Sequence, residues 1–375
     1  MRKIKILSII GTRPEVIKMA PVLQGMKKHA DRITSILVST AQHREMLDQI
    51  LRVFDIKPDI DLNIMKPNQT LSHITTAALS GIERVIQETK PDIVLTQGDT
   101  TTVFAASLAA FYCRVPVGHV EAGLRSFDKY NPYPEEINRR LTDAVTDYFF
   151  APTARARENL LREGIPDKNI YVTGNTVVDA LQYALDRSFS FDQHPELKKI
   201  PLGGERLLLV TAHRRENWDA PLESICEALK ELVDRFPDLH VVYPVHLNPA
   251  VRKTVHQVLN ETPRVHLIEP VDYLTFVHLM KHSHLILTDS GGVQEEAPTL
   301  GRPVLVMRKV TERPEAYEAG VARIVGTGKE AIVKETSRLL TDERAYQKMA
   351  RVGNPYGDGK AGTRIVDILL DQFKA

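Results

Sequence analysis

Cysteine is scarce in this 375-residue sequence: Cys113 and Cys226 are the only two. That excludes a disulfide framework and a cysteine-rich zinc site. Neither sign of charge is in excess. Lys and Arg total 49 and Asp and Glu 48, so the net charge is +1. This excludes nucleic-acid binding by bulk charge and an acidic disordered tail. No run approaches the roughly 18 apolar residues of a membrane helix. The apolar run Ile4–Ile10 follows Arg2 and Lys3, as in a secretion signal. It is too short for one, and it ends in Gly11-Thr12-Arg13-Pro14, not in a small-residue cleavage site. It reads as a first strand, and scarce cysteine without a signal points to the cytoplasm. Two phosphate-binding loops are also missing. No Walker-type glycine loop occurs, and no Gly-X-Gly-X-X-Gly follows the first strand. A nucleoside triphosphatase and a conventional nicotinamide enzyme are both disfavoured.

What is present is the ordinary balance of a globular protein, with 43% apolar and 26% charged residues. The length suggests roughly two domains. Short apolar runs rich in β-formers alternate with helical patterns almost from end to end. Ile4–Ile10, Ile33–Ser39, 92–96 and 115–120 are strand candidates. A helix is expected from Pro14, another over 43–54 and an Ala-rich one over 103–111. Such alternation builds a parallel sheet with helices on both faces. A Pro-, Gly- and charge-rich stretch over 192–205 reads as a loop. The pattern then restarts with strand candidates at 207–211, 239–243, Val265–Ile268, Leu285–Thr288 and 304–307. The expectation is an α/β protein of two Rossmann-like domains facing a cleft. The first spans 1–172, with a C-terminal helix over 358–375 packing back on it, and the second spans 173–357.

In open α/β sheets ligands bind beyond the carboxyl ends of the strands. Five expected strand ends carry charged or glycine-bearing turns: Gly11-Thr12-Arg13-Pro14-Glu15, Gln97-Gly98-Asp99-Thr100, Gly118-His119-Val120-Glu121, Ala212-His213-Arg214-Arg215-Glu216 and Asp289-Ser290-Gly291-Gly292. The last opens an expected helix over 293–300. Its glycines and helix dipole suit a diphosphate, although Asp289 or Ser290 reads equally well as a helix cap. Glu296, one turn in, could accept from ribose hydroxyls, whereas Glu295 reads better as an acidic first turn. Arg13, Lys18 and Arg313 are candidate phosphate partners. Asp99, Glu121, Glu135 and His213 are candidate acid–base groups, because carboxylates crowded together separate in pKa. Helix capping is the plainer reading of Asp99 and Glu121. His278, His282 and His284, and the pair Asp59 and Asp61, have metal-like spacing but no supporting ligand set, so ordinary histidines and a chance spelling are favoured.

Taken in order, these turns, with Glu121-Ala122-Gly123-Leu124-Arg125, Pro134-Glu135-Glu136, Thr288-Asp289-Ser290-Gly291-Gly292-Val293-Gln294-Glu295-Glu296 and Glu312-Arg313-Pro314-Glu315, resemble the non-hydrolysing UDP-N-acetylglucosamine 2-epimerases over nearly the whole chain. The resemblance implies a GT-B fold and reversible interconversion of UDP-N-acetylglucosamine and UDP-N-acetylmannosamine without metal or nicotinamide. It implies elimination of UDP to a 2-acetamidoglucal and re-addition. By motif matching Asp99, Glu121 and Glu135 would handle the C2 proton and His213 would assist UDP departure. Arg13, Lys18, Arg139, Ser290, Gly291 and Gly292 would hold the diphosphate, Glu296 the ribose and Phe276 the uracil. Gln42 and His43 match the region where many bacterial members bind a second, activating UDP-N-acetylglucosamine. Glu45 and Asn68 depart from that pattern, standing where those members carry Gln and Arg. Family likeness further implies a homodimer that supplies N-acetylmannosamine for a bacterial surface polymer. A glycosyltransferase, a hydrolysing epimerase and a UDP-sugar sensor are the competing readings. The carboxylate constellation disfavours the sensor, which needs no proton shuttle.

Overall fold

The computed structural model describes residues 2–373 except 41–43, 65, 67–68, 202–203, 215–216 and 309–312. The chain forms two compact units, one of residues 1–182 with 356–375 and one of residues 183–355.

The first unit is built on a parallel sheet of seven strands: β1 (Ile4–Ile10), β2 (Ile33–Ser39), β3 (Ile60–Asp61), β4 (Ile93–Gln97), β5 (Val117–Val120), β6 (Tyr148–Ala151) and β7 (Ile170–Val172). Their order is β3-β2-β1-β4-β5-β6-β7, so the winding reverses between β1 and β4. Helices α1 (Arg13–Lys28), α2 (Arg44–Val53), α3 (Leu71–Thr89), α4 (Thr101–Tyr112), α5 (Glu135–Ala144), α6 (Ala154–Arg162) and α7 (Thr176–Asp186) connect and follow the strands. Every residue of β4 and β5 is buried, as for strands covered on both faces. Ala105, Ala106, Ala109 and Ala110 let α4 lie close on the sheet beside Leu7, Val94 and Val117.

The second unit repeats the plan with six parallel strands: β8 (Arg206–Thr211), β9 (Leu239–Pro244), β10 (Val265–Ile268), β11 (Leu285–Thr288), β12 (Val304–Val306) and β13 (Ala322–Ile324). Their order is β10-β9-β8-β11-β12-β13, and the winding reverses between β8 and β11. Its helices are α8 (Ala220–Arg235), α9 (Pro249–Leu259), α10 (Tyr273–His282), α11 (Gly291–Glu296), α12 (Pro314–Ala319), α13 (Lys329–Thr341) and α14 (Glu343–Ala350). Leu208, Val210, Ile225, Leu229, Val241, Tyr243 and Leu287 form its core. Cys226 belongs to this core, and burial pushes its thiol up to about 12.

Several elements differ from their sequence expectations. The short strands β3, β6, β7 and β13 escaped the pattern because two to four residues carry too little periodicity. The expected 293–300 helix begins earlier, and after Glu296 it tightens into a 3-10 turn over Ala297–Leu300, where Pro298 sits. The 192–205 loop holds a short 3-10 turn over Leu197–Lys199. The unit boundary falls inside α7, ten residues past the expected 172, because the first two turns of α7 pack their Val177, Val178 and Leu181 into the first unit.

The last helix, α15 (Ala361–Gln372), belongs to the first unit and lies along α1. It is capped from a distant segment. The Asp179 carboxylate of α7 accepts from the Ala361 N–H at 3.2 Å and the Gly362 N–H at 2.9 Å. These are orphan donors of a helix N-terminus, which need a partner. Asp179→Ala is therefore expected to destabilise the first unit by about 1–2 kcal/mol. Calorimetry should show its unfolding transition moved down while that of the second unit stays in place.

Candidate active site

In the second unit the chemistry gathers where the winding reverses. β8 and β11 are adjacent there, with Thr211 opposite Thr288 and their hydroxyls 2.6 Å apart. Asp289 follows directly and is fully buried. It caps no helix. Its Oδ2 accepts from the backbone N–H groups of His213 and Arg214, both at 2.8 Å, and from the Asn217 amide at 3.0 Å. Its Oδ1 lies 3.0 Å from His213 Nδ1. Burial alone would raise this carboxyl. The His213 ring and the two N–H groups outweigh it and hold the group below the ordinary carboxylate range. An ionised Asp289 this close to Nδ1 favours the ring hydrogen there, and Nε2 is the nitrogen left for an incoming group. The ring is 40% exposed and stacks beside His246 at 6.0 Å between centroids.

The glycine turn after Asp289 is shaped by Arg313. A Cβ on Gly291 would lie 2.6 Å from Arg313 Nη1, so no other residue fits without moving the guanidinium. Arg313 Nε in turn donates to the buried Glu295 carboxylate at 2.6 Å. Glu295, which reads from sequence as an acidic first turn, is instead the anchor of this arginine. The Ser290 hydroxyl makes no capping bond to α11. Glu296 is buried and accepts the Tyr273 hydroxyl at 2.9 Å, and Phe276 lies half-buried three residues along α10.

In the first unit Glu121 leaves β5 with φ +73°, a left-handed conformation that costs a non-glycine residue about 1–3 kcal/mol. The turn is held from both sides. Lys18 Nζ lies 2.7 and 2.6 Å from the two carboxylate oxygens, and the Gln97 amide donates at 2.7 Å. Both members of the ion pair are buried. Asp99, on the turn after β4, pairs with Arg139 Nη2 at 2.9 Å. Arg139 lies one turn along α5 from Glu135, whose carbonyl it approaches at 3.4 Å, so α5 brings Glu135 and the partner of Asp99 to one end of the sheet. Arg13 sits half-exposed at the first turn of α1.

The family model for UDP-N-acetylglucosamine 2-epimerases matches residues 26–370. The chain belongs to the UDP-N-acetylglucosamine 2-epimerase family. It is 54% identical to the UDP-N-acetylglucosamine 2-epimerase of Escherichia coli K12, over 97% of this chain and 98% of that one. It is 52% identical to that of Bacillus subtilis, over 100% of this chain and 97% of the other. The crystal structure of the Neisseria meningitidis UDP-GlcNAc 2-epimerase bound to UDP-GlcNAc superposes with a TM-score of 0.92 at 50% identity, covering 98% of this chain and 100% of that one. The architecture of two parallel sheets with interleaved helices is accordingly that of the GT-B epimerases.

Within this epimerase fold the structure groups Asp99, Glu121, Glu135, Lys18 and Arg139 in the first unit, and His213, Ser290, Gly291, Gly292, Glu296, Phe276 and Arg313 in the second. Three cations expected at a diphosphate, Lys18, Arg139 and Arg313, each rest against a carboxylate, on Glu121, Asp99 and Glu295. Gln42, His43 and Asn68 lie outside the described residues. The histidines of metal-like spacing are otherwise engaged. His278 stacks on Phe189 at 4.2 Å, His282 bonds the His278 carbonyl at 2.8 Å, and His284 stacks on Tyr346 at 4.3 Å. Asp59 takes the Leu37 N–H at 2.8 Å, and Asp61 takes that of Asn63 at 2.9 Å. The supporting residues Gln97, His119, Asp143, Asn217 and Glu15 carry no role of their own in the sequence. Gln97, His119 and Glu15 stand in the strand-end turns that mark the chemistry, whereas Asp143 and Asn217 reach it only through contacts made by the fold.

Glu15 joins the two strand-end turns at the reversal point of the first sheet. Its carboxyl takes the Thr100 hydroxyl at 2.6 Å and the Thr12 N–H at 3.2 Å, and it is buried. Burial outweighs these donors and raises the group from 4.5 to about 7. Between those values the folded protein keeps a proton that the unfolded chain releases, so stability falls as pH rises from 4.5 through 7 and levels off above. The total is about 3 kcal/mol. Chemical denaturation at a series of pH values should show this slope, and Glu15→Gln should remove it.

Proposed function

We propose that the protein inverts C2 of UDP-N-acetylglucosamine reversibly, giving UDP-N-acetylmannosamine, by eliminating UDP and adding it back. In the first half-reaction the C2–H and C1–O bonds break, the C1=C2 double bond of a 2-acetamidoglucal forms, and UDP leaves with the C1–O electron pair. In the second half UDP returns to C1 and a proton enters C2 from the opposite face. The sequence of steps is redox-neutral, so it needs no hydride acceptor. A proton must reach both faces of C2, which one base does poorly and a group of Asp99, Glu121 and Glu135 does readily. His213, with Nδ1 beside Asp289, assists the departing diphosphate in the doubly protonated form of its ring, in which Nε2–H donates to the diphosphate oxygen. Arg13, Ser290, Gly291 and Gly292 supply charge and N–H donors to that diphosphate, with Lys18, Arg139 and Arg313 close to their carboxylates until substrate competes for them. Glu296 takes ribose and Phe276 the uracil ring. The active form is a cytoplasmic homodimer whose product feeds a surface polymer.

The observation that carries this reading is Glu121. It is a carboxylate held in a strained conformation, buried against a lysine that can exchange its partner for a phosphate, directly after β5, which pairs with β4, the strand that leads into the Asp99 turn. Strain of that kind persists only where the surrounding structure enforces it, and it concentrates at functional sites.

Incubation with UDP-N-acetylglucosamine in deuterated water is expected to place deuterium at C2 of sugar still attached to UDP. Free N-acetylmannosamine would instead indicate hydrolysis, and no label without an acceptor would indicate a transferase or a sensor. Asp99→Asn and Glu121→Gln should retain UDP binding by calorimetry while turnover falls about 10²–10⁴-fold. Arg13→Ala should weaken UDP binding roughly tenfold, the share of one charge-assisted contact.

A further inference from the structure

His119 is fully buried in the middle of β5, and each of its ring nitrogens meets an acceptor. Nε2 lies 2.7 Å from the Gly98 carbonyl oxygen and Nδ1 lies 2.6 Å from Asp143 Oδ1. A carbonyl only accepts, so Nε2 must carry a hydrogen. Nδ1 then has one too, unless the proton resides on Asp143. The surroundings of Asp143 decide this. Its other oxygen takes Arg125 Nη2 at 2.7 Å and the Gly123 N–H at 3.3 Å. A guanidinium and an amide favour the ionised carboxylate. Asp143 is held below the ordinary carboxylate range, burial being outweighed by His119 and Arg125. Arg125 continues to Glu163 through Nε at 2.9 Å and Nη2 at 2.6 Å. The chain His119–Asp143–Arg125–Glu163 thus alternates in sign and sums to zero, which is how buried charges are tolerated.

We propose that His119 donates from both ring nitrogens and is the positioning residue that sets Asp99 and Glu135 relative to Glu121. It stands two residues before Glu121 on β5. Its Nε2 fixes the Gly98 carbonyl, and Gly98, at φ +84°, turns the chain so that Asp99 follows. Its Nδ1 fixes Asp143 on the last turn of α5, the helix that opens with Glu135 and carries Asn138 and Arg139. Asn138 donates to the Asp99 carbonyl at 3.0 Å and Arg139 holds the Asp99 carboxylate at 2.9 Å, so the turn and the helix are also tied to each other. One doubly protonated ring therefore links the segments that bear all three carboxylates. With Asp143 ionised, a neutral ring loses one of its two links, because it has only one N–H to donate.

The inference rests on the proposed roles of Asp99, Glu121 and Glu135, so the test has one arm that does not use activity. Nitrogen NMR of the histidine-labelled protein at pH 7.5 should show both His119 nitrogens protonated, and Asp143→Asn should return the ring to a neutral form. A deprotonated His119 nitrogen in the unmodified protein overturns the proposal, whatever reaction the protein performs. In the second arm, His119→Gln keeps a donor for the Gly98 carbonyl and His119→Ala keeps none. Turnover should fall about tenfold to a hundredfold in His119→Ala, with KM for the sugar nucleotide nearly constant and partial recovery in His119→Gln. Turnover within about twofold of the parent in His119→Ala, or a change confined to KM, overturns it. Should the Ala variant not fold, the Gln variant and the ring spectra decide alone. An unmodified protein that fails to epimerise refutes the proposed function and leaves the ring assignment to its own spectrum.

Discussion

Buried carboxylates that clamp strand-end turns are the constraint on which both units depend. A parallel sheet delivers its loops to one edge, and the reversal of winding leaves two adjacent loops there with no crossover helix between them. Something must hold those loops. In the first unit Glu15 does so, reaching from the start of α1 to Thr100 after β4. In the second unit Asp289 does so, reaching from the end of β11 to the backbone of His213 and Arg214 after β8. Each binds N–H groups that would otherwise be unsatisfied. An unpaired buried polar group costs more than a formed hydrogen bond gains, so each clamp resists partial opening.

The two clamps differ in charge, and that difference suits their tasks. Asp289 meets an imidazole and three donors and stays ionised, which orients the His213 ring as it stabilises the loop. Glu15 meets only neutral donors, and burial lifts it to about 7. One residue holds the loop that carries His213, while the other shapes the turns at the starts of α1 and α4. The same economy recurs at Gly291, where the missing side chain makes room for Arg313, and Glu295 holds that arginine from beneath.

Charge pairing also explains why cations expected at a diphosphate lie on acids. A buried lysine or arginine needs a negatively charged partner near it. Lys18 on Glu121 and Arg139 on Asp99 satisfy this rule. These pairs place the candidate proton carriers next to the candidate phosphate partners, so arrival of a phosphate on the cations would alter the charge felt by the acids.

Much was legible beforehand. The runs Ile4–Ile10, Ile33–Ser39, Val265–Ile268 and Leu285–Thr288 fall on strands with the same bounds, because isoleucine, valine and leucine dominate each run and favour the extended backbone. The turns that follow Ile10 and Thr288 were readable as chemistry, since a buried fold has no need of charge there. The sequence by itself therefore determined the α/β class, the strand ends that bear chemistry and the family likeness, all of which are local spellings. Tertiary structure alone decided that Asp289 clamps His213 instead of capping a helix, that Lys18 rests on Glu121, and that His119 meets Gly98 and Asp143 at once. Those partners are separated by 76, 103, 21 and 24 positions along the chain. Side-chain chemistry can be read from a residue's identity, but which partner satisfies a buried charge depends on where the folded sheet brings distant loops together.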